Sequence, residues 1–338
     1  MDTISNNCVY CGAAAASHCA RCEATKYCGP QCQKSDWSIH KTTCGKQGLD
    51  LVVHRAAEML QDIYYFLREK TFDNAILSIE HVGDTLVIRD KPMVPGTIYP
   101  FPHHLVHSEE ETKMVLTTLI CQEPIAYLYD LFLEMLKGTG VALEELNVKI
   151  KKPIKRARVV AIERNLDMDQ FYHSVVRVKS SDGDISWIVD VSGAQYSIFK
   201  ACWDEKAYAK QHVVEFASRI KSGTNHAIYK KVATMKGNLP LITRIAWGAV
   251  DKIYAAIQKW KTTSRLSLPA LMRATDAVFR QGKEQLMVGI GEALDKFVAE
   301  ADFKVDINRT RFYESRNPLA ARQEVTKVFE EIPRQNLL

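Results

Sequence analysis

Hydrophobic positions along the chain follow two periods. From Leu49, "LDLVVHRAAEMLQDIYYFLREKTF" places its apolar residues at helical spacing and predicts a helix that opens or flanks the main body. "AILSIEHVG" and "TLVIRD" predict short strands, followed by a proline-rich loop, "KPMVPGTIYPFPHH". "EEETKMVLTTLICQEPIAYLYDLFLEMLKGTG" predicts two helices with a break near "CQEP". Pro124 suits the first turn of the second helix, and Ile125, Leu128, Tyr129, Phe132 and Leu136 form its apolar stripe. Gly138 and Gly140 stop it. "RARVVAIERN", "FYHSVVRVKS" and "ISWIVDVSG" then read as strands, with "SSDGD" as a hairpin turn between the last two. From about residue 204 the pattern is helical: "DEKAYAKQHVVEFASRIKSG", "LITRIAWGAVDKIYAAIQKW", "LPALMRATDAVFRQGKEQLMVGIGEALDKFVAEA" and a short last helix near 319–332. The predicted class is α+β, divided into a small unit at 1–46, an α+β body at 49–203 and a helical region at 204–338.

Composition narrows the class of function. The chain has 338 residues, 46% hydrophobic and 25% charged, ordinary proportions for globular domains. It has no apolar run long enough for a membrane span, and "MDTISNNC" is not a secretory signal. The expectation is a cytoplasmic or nuclear protein that does not touch membranes. The net charge of +5 is too weak to imply nucleic acid by itself, and no base-reading helix stands out, so no direct nucleic-acid partner is expected. The densest basic stretch, "KIKKPIKRAR" from Lys149, reads as a solvated loop leading into a strand. His103, His104 and His107 read as an exposed polar loop, on the expectation that no acidic or cysteine partner lies nearby in sequence.

Cysteine usage changes the picture most. Seven of the nine cysteines lie before residue 45. Cys8, Cys11, Cys19, Cys22, Cys28, Cys32, His40 and Cys44 are separated by x2, x7, x2, x5, x3, x7 and x3. Eight ligand-type residues suffice for two closed tetrahedral zinc sites, and without a secretory signal clustered thiols favour metal over disulfides. Cys28 and Cys32, like His40 and Cys44, are at i, i+4, one face of a short helix. Gly12 suits the turn after the first CxxC. Ser35 or Asp36 is a candidate N-cap for a short helix carrying Trp37, which would fill the small core. A unit of about 45 residues buries too little apolar surface to fold without the metal.

This spacing, with "YCGPQCQKSDWSIHKTTC", resembles a MYND-type zinc finger over about the first 45 residues. The resemblance implies interleaved sites: Cys8, Cys11, Cys28 and Cys32 on one Zn2+, Cys19, Cys22, His40 and Cys44 on the other. Spacing alone leaves a sequential pairing open. The resemblance also implies a structural role for both ions and a protein or proline-containing peptide as partner. The first functional expectation is therefore an adaptor, scaffold or regulatory protein that recruits partners through its finger.

An alternative comes from Cys121, His173 and Asp190. Cys121 would lie at a helix start, where the dipole favours thiolate. His173 and Asp190 would come together across the "DGD" hairpin, with Asp orienting the imidazole and His activating the thiol. A cysteine on a helix followed by a histidine strand and an aspartate strand is similar to a transglutaminase-like core, over roughly residues 115–200. Ile120 stands where that family has glycine, and Val175 where it has an aromatic. The resemblance implies a cysteine-dependent acyl-transfer or amide-hydrolysing enzyme. Gln195 and Tyr196 are candidate hydrogen-bonding neighbours, and Cys202 reads as packing. No SET-type methyltransferase motif is present, and "GIGEA" sits inside a helical pattern rather than after a strand, so it is no dinucleotide loop.

Overall fold

One helix joins the finger to the rest of the molecule. In the computed structural model, which describes residues 6–20, 22–91, 94, 96–153, 155–161, 164–167, 171–331 and 335–336, strands β1 (Ser17–His18) and β2 (Lys26–Tyr27) form an antiparallel ladder. Helix α1 then runs unbroken from Pro30 to Lys70, 41 residues and roughly 60 Å. It crosses 46–49 without interruption. It begins earlier than Ser35 or Asp36 would cap it: Gly29 precedes it and Pro30 supplies the fixed φ of a first turn. Asp36 instead accepts a hydrogen bond from Tyr27 Oη at 2.6 Å. Tyr27, fully buried, fills the finger's core, while Trp37 is 37% exposed and meets His40 only edge-on.

The body holds two sheets. β3 (Ile76–Val82) and β4 (Thr85–Asp90) form a hairpin. Helices α2 (Glu109–Thr117), α3 (Glu123–Tyr127) and α4 (Tyr129–Met135) follow, so the two expected helices are three pieces, with Pro124 in the first turn of α3. Next come β5 (Ala142–Ile150), β6 (Arg156–Ala161), β7 (Arg164–Asp167), β8 (His173–Lys179), β9 (Ser186–Val189), a 3-10 turn at Gly193–Tyr196 and β10 (Cys202–Asp204). Residues 162 and 163, expected within one strand, lie outside the described residues. Helix α5 (Glu205–His212) leads into β11 (Val213–Lys221), and β12 is Gln335–Asn336. One sheet has the order β10-β9-β8-β5-β11-β12, all antiparallel, and the other β3-β4-β6-β7, with β4 and β6 parallel. The region after 204 is thus not wholly helical: β11 is a nine-residue strand beside β5, and neither was expected as a strand.

The remaining helices, α6 (Thr224–Ala233), α7 (Asn238–Ser264), α8 (Leu268–Met272), α9 (Asp276–Glu300), α10 (Lys304–Arg316) and α11 (Ala320–Glu330), form the helix-rich C-terminal half. The largest core joins α1 residues such as Val53, Ile63 and Leu67 to Ile253 and Ile257 of α7, Leu286 and Ile290 of α9, and Trp187 of the sheet. Trp187 Nε1 also donates to Asp50 Oδ1 at 2.7 Å, locking α1 to β9. Arg55, 4% exposed, donates to Glu23 in the finger, to Asp276, and to the carbonyls of Met272 and Ala274. Among the described residues, no helix is long and apolar enough to cross a membrane.

Candidate functional site

The finger gathers its ligand residues into two sets, Cys8, Cys11, Cys28 and Cys32, and Cys19, Cys22, His40 and Cys44. Within each set all ligand atoms lie within 4.8 Å of one another. The close pairs are Cys11–Cys28 at 3.5 Å, Cys28–Cys32 at 3.4 Å, Cys19–Cys44 at 3.7 Å and Cys22 Sγ–His40 Nε2 at 3.5 Å. A tetrahedral zinc with thiolates at about 2.3 Å has edges of about 3.7 Å, so these are metal-ligand spacings rather than disulfides. The interleaved pairing is therefore the one the fold adopts. Gly12, φ +77°, closes the first knuckle with its N–H on Cys8 O at 2.8 Å, a conformation that disfavours any side chain. With Nε2 on the metal, His40 Nδ1 is left to donate to Thr25 Oγ1, 3.4 Å away, and Thr25 in turn donates to Gln47. The residues fit two zinc ions, each closed by four protein ligands. Such ions supply folding free energy and no open position for chemistry.

A second cluster forms where α3, β8 and β9 meet. His173 opens β8 and Asp190 follows β9 directly; both are fully buried, with Nε2–Oδ1 at 2.7 Å. The other carboxylate oxygen accepts from Tyr208 Oη of α5 at 2.8 Å. Gln61 of α1 donates to the carbonyls of Asp190 and Val191. Gly193 lies so close that a Cβ there would stand 2.3 Å from Asp190 Oδ2. Tyr196 packs edge-on against the imidazole, ring centroids 5.0 Å apart.

Cys121 lies two residues before α3, half-buried, with Sγ 3.9 Å from the backbone carbonyl of Tyr172, the residue before His173. Two residues earlier, Leu119 adopts φ +64°, a left-handed conformation costing a bulky residue about 1 kcal/mol or more. Its N–H donates to Gln195 Oε1 at 3.2 Å. Gln195, fully buried, thereby aims its amide nitrogen at Ser192 O and at His173 Nδ1, 3.1 and 3.4 Å away.

The electrostatics follow from this placement. Burial opposes a charged His173, but the adjacent Asp190 carboxylate outweighs it and, with Cys121, holds the imidazole well above its ordinary value. Burial also pushes the Cys121 thiol up, and the hydrogen bond to and charge of His173, helped by Ser174, bring it below the ordinary thiol value. Both shifts run in the direction of thiolate and imidazolium, whereas the Gln195 amide N–H facing Nδ1 fits a ring that accepts there and donates Nε2–H to Asp190. Cys202 is buried and reads as packing. Tyr208, Gln61 and Gly193 were not singled out from the sequence. Gln61 lies 129 residues from Asp190, and no local motif marks such a contact.

The MYND finger family model matches residues 8–44. The N-terminal unit is thus a zinc-binding protein-interaction module, and the match covers that unit alone. No solved structure matches the chain. The resemblance of the central region to a transglutaminase-like core draws no support from these comparisons, and any chemistry at Cys121 rests on the geometry of the cluster itself.

Proposed function

We propose that the body is a cysteine-dependent acyl-transfer or amide-hydrolysing enzyme and that the finger brings a protein partner to it. The observation that carries this reading is the buried His173–Asp190 pair, 2.7 Å apart, set against the Cys121 thiol. A buried charge pair costs desolvation unless both partners are well satisfied, and here Tyr208 and the Gln61-braced backbone satisfy it.

The step runs as follows for an amide substrate. Cys121 thiolate adds to the carbonyl carbon, and the C–N bond breaks as the His173 imidazolium proton passes to the leaving nitrogen. An amine departs and an acyl thioester remains on Sγ. Water, giving its proton to His173, then adds to the thioester; the acid leaves and the thiolate–imidazolium pair is restored. An amine in place of water completes acyl transfer. Asp190 holds the ring and stabilises its charge, while Gln195 and Leu119 fix the approach of the two segments.

The test is mass spectrometry of the zinc-loaded protein after exposure to p-nitrophenyl acetate. A single acetyl on Cys121, absent in His173→Ala, is expected. Labelling of Cys121 no faster than Cys202 overturns the assignment.

The finger's part is supported by Val9, Tyr10, Trp37 and Ile39, which remain 61%, 53%, 37% and 76% exposed on so small a unit. Aromatic and aliphatic surface of this kind suits a proline-containing segment, whose preformed extended conformation loses little entropy on docking. A change in Trp37 fluorescence on adding proline-containing peptides, lost in Tyr10→Ala, is the expected sign.

A further inference from the structure

His107 lies in the loop that the sequence marks only as polar, yet the fold brings two ligand-type residues to it from different directions. His81 comes from β3, and Glu111 from the first turn of α2, four residues past His107. The acidic neighbour lies just beyond the loop, on the helix that follows it. The ligand atoms of His81, His107 and Glu111 lie within 4.8 Å of one another. The two imidazoles stack nearly parallel, centroids 4.9 Å apart at 10°. Glu111 Oε1 is 2.9 Å from His81 Nε2, and Oε2 accepts the His107 backbone N–H at 2.9 Å. The histidines are exposed and the carboxylate buried, so a cation entering from solvent meets the imidazoles first.

We propose that His81, His107 and Glu111 form a third metal site, distinct from the finger, that takes a borderline divalent transition ion such as Zn2+ or Ni2+. Two imidazoles with one carboxylate select such ions over Mg2+ or Ca2+, which want all-oxygen surroundings. Three protein ligands leave coordination positions for water or a further donor. The carboxylate is already held in place, with Oε2 on the His107 N–H and Oε1 between His81 Nε2 and the Lys155 ammonium.

Lys155 is the built-in competitor. Its ammonium stands 2.8 Å from Glu111 Oε1 and supplies the cation that the buried carboxylate needs without metal. Its side chain is 35% exposed, on a long flexible stem, so it can turn to solvent as the metal enters. Metal affinity is therefore set by exchange of one cation for another rather than by filling an empty cavity.

The test is calorimetric titration with Ni2+ of full-length protein already carrying its two finger zinc ions. One further equivalent is expected in the wild type. Affinity falls at least tenfold in His81→Ala and in His107→Ala, whose zinc content and circular dichroism stay unchanged. Lys155→Met strengthens binding at least tenfold, and His103→Ala with His104→Ala leaves it intact. Absence of the further equivalent in the wild type, or equal binding in His107→Ala, overturns the site.

Discussion

Stripping zinc from the finger tests how the two halves of α1 are held. Between Pro30 and Gln47 the buried side chains with described environments are Asp36, His40 and Cys44: two zinc ligands and the acceptor for Tyr27. From Val52 onward the same helix buries Val52, Val53, Ala56, Ala57, Met59, Leu60, Ile63, Tyr64 and Leu67, each no more than 4% exposed. Structural zinc contributes on the order of 10 kcal/mol per site to folding, and an unpacked helix of roughly 17 residues is marginal in water. Chelation should therefore melt the first four or so turns, about a tenth of the helical signal. The second half keeps burial worth about 1.5–3 kcal/mol for each large apolar side chain and stays folded. The body loses the two hydrogen bonds that Glu23 accepts, from Arg55 and from the Asp276 backbone N–H, each at 3.2 Å, while Arg55 keeps Asp276 and two carbonyls. That loss costs about 1–2 kcal/mol, a shift of about 2–4 °C in the body's melting temperature. The Lys46–Asp184 pair, with side chains 44% and 59% exposed, adds little. Far-ultraviolet circular dichroism and scanning calorimetry before and after chelation measure both. Loss of the body's cooperative transition, or an undiminished helical signal, would refute the reasoning.

Three further perturbations address the sites. Asp190→Asn removes the charge that raises His173, so burial should dominate and the pH midpoint for Cys121 alkylation should rise by about one unit or more. Gly193→Ala puts a Cβ 2.3 Å from Asp190 Oδ2 and 2.8 Å from Ile198 O. With backbone on one side it cannot relax cheaply, and urea denaturation should show a loss of about 2–3 kcal/mol together with slower Cys121 labelling. Glu111, held down at about 2 from an ordinary 4.5, stabilises the fold above about pH 4.5, and that stability is lost as pH falls toward 2. The difference between wild type and Glu111→Gln, on the order of 2 kcal/mol at neutral pH, should shrink progressively on acidification.

The parts legible in the sequence are those where local spacing and chemistry coincide. Eight ligands at fixed intervals specify the finger because a metal demands donor number and bite more strictly than a core demands shape. Cys121, His173 and Asp190 were legible as an order of elements, since the "SSDGD" hairpin sets β8 against β9, with Val176 opposite Val189. The contacts that complete the cluster were not: Tyr208 and Gln61 reach it from α5 and α1 through tertiary packing. β11 was read as helix because "VVEFASRIK" lacks strict alternation. Register shifts between Val213 and Glu215 and between Phe216 and Ser218 blur its period. β5, "ALEELNVKI", is rich in helix formers, but Glu145 is spent on tertiary structure: buried, it accepts the Gly223 and Asn225 N–H groups at the start of α6. Trp37 looked like a core residue because tryptophan usually is one, yet Tyr27 took that place by pairing with Asp36.

The most direct measurement is the alkylation rate of Cys121 as a function of pH on zinc-loaded protein, resolved by mass spectrometry, with Cys202 as the internal comparison and His173→Ala as the variant. An activated thiolate labels rapidly below pH 7 and slows about tenfold or more in the variant. Labelling as slow as that of Cys202, or unaffected by loss of His173, would make Cys121 a packed structural thiol and leave the body as a scaffold for the finger.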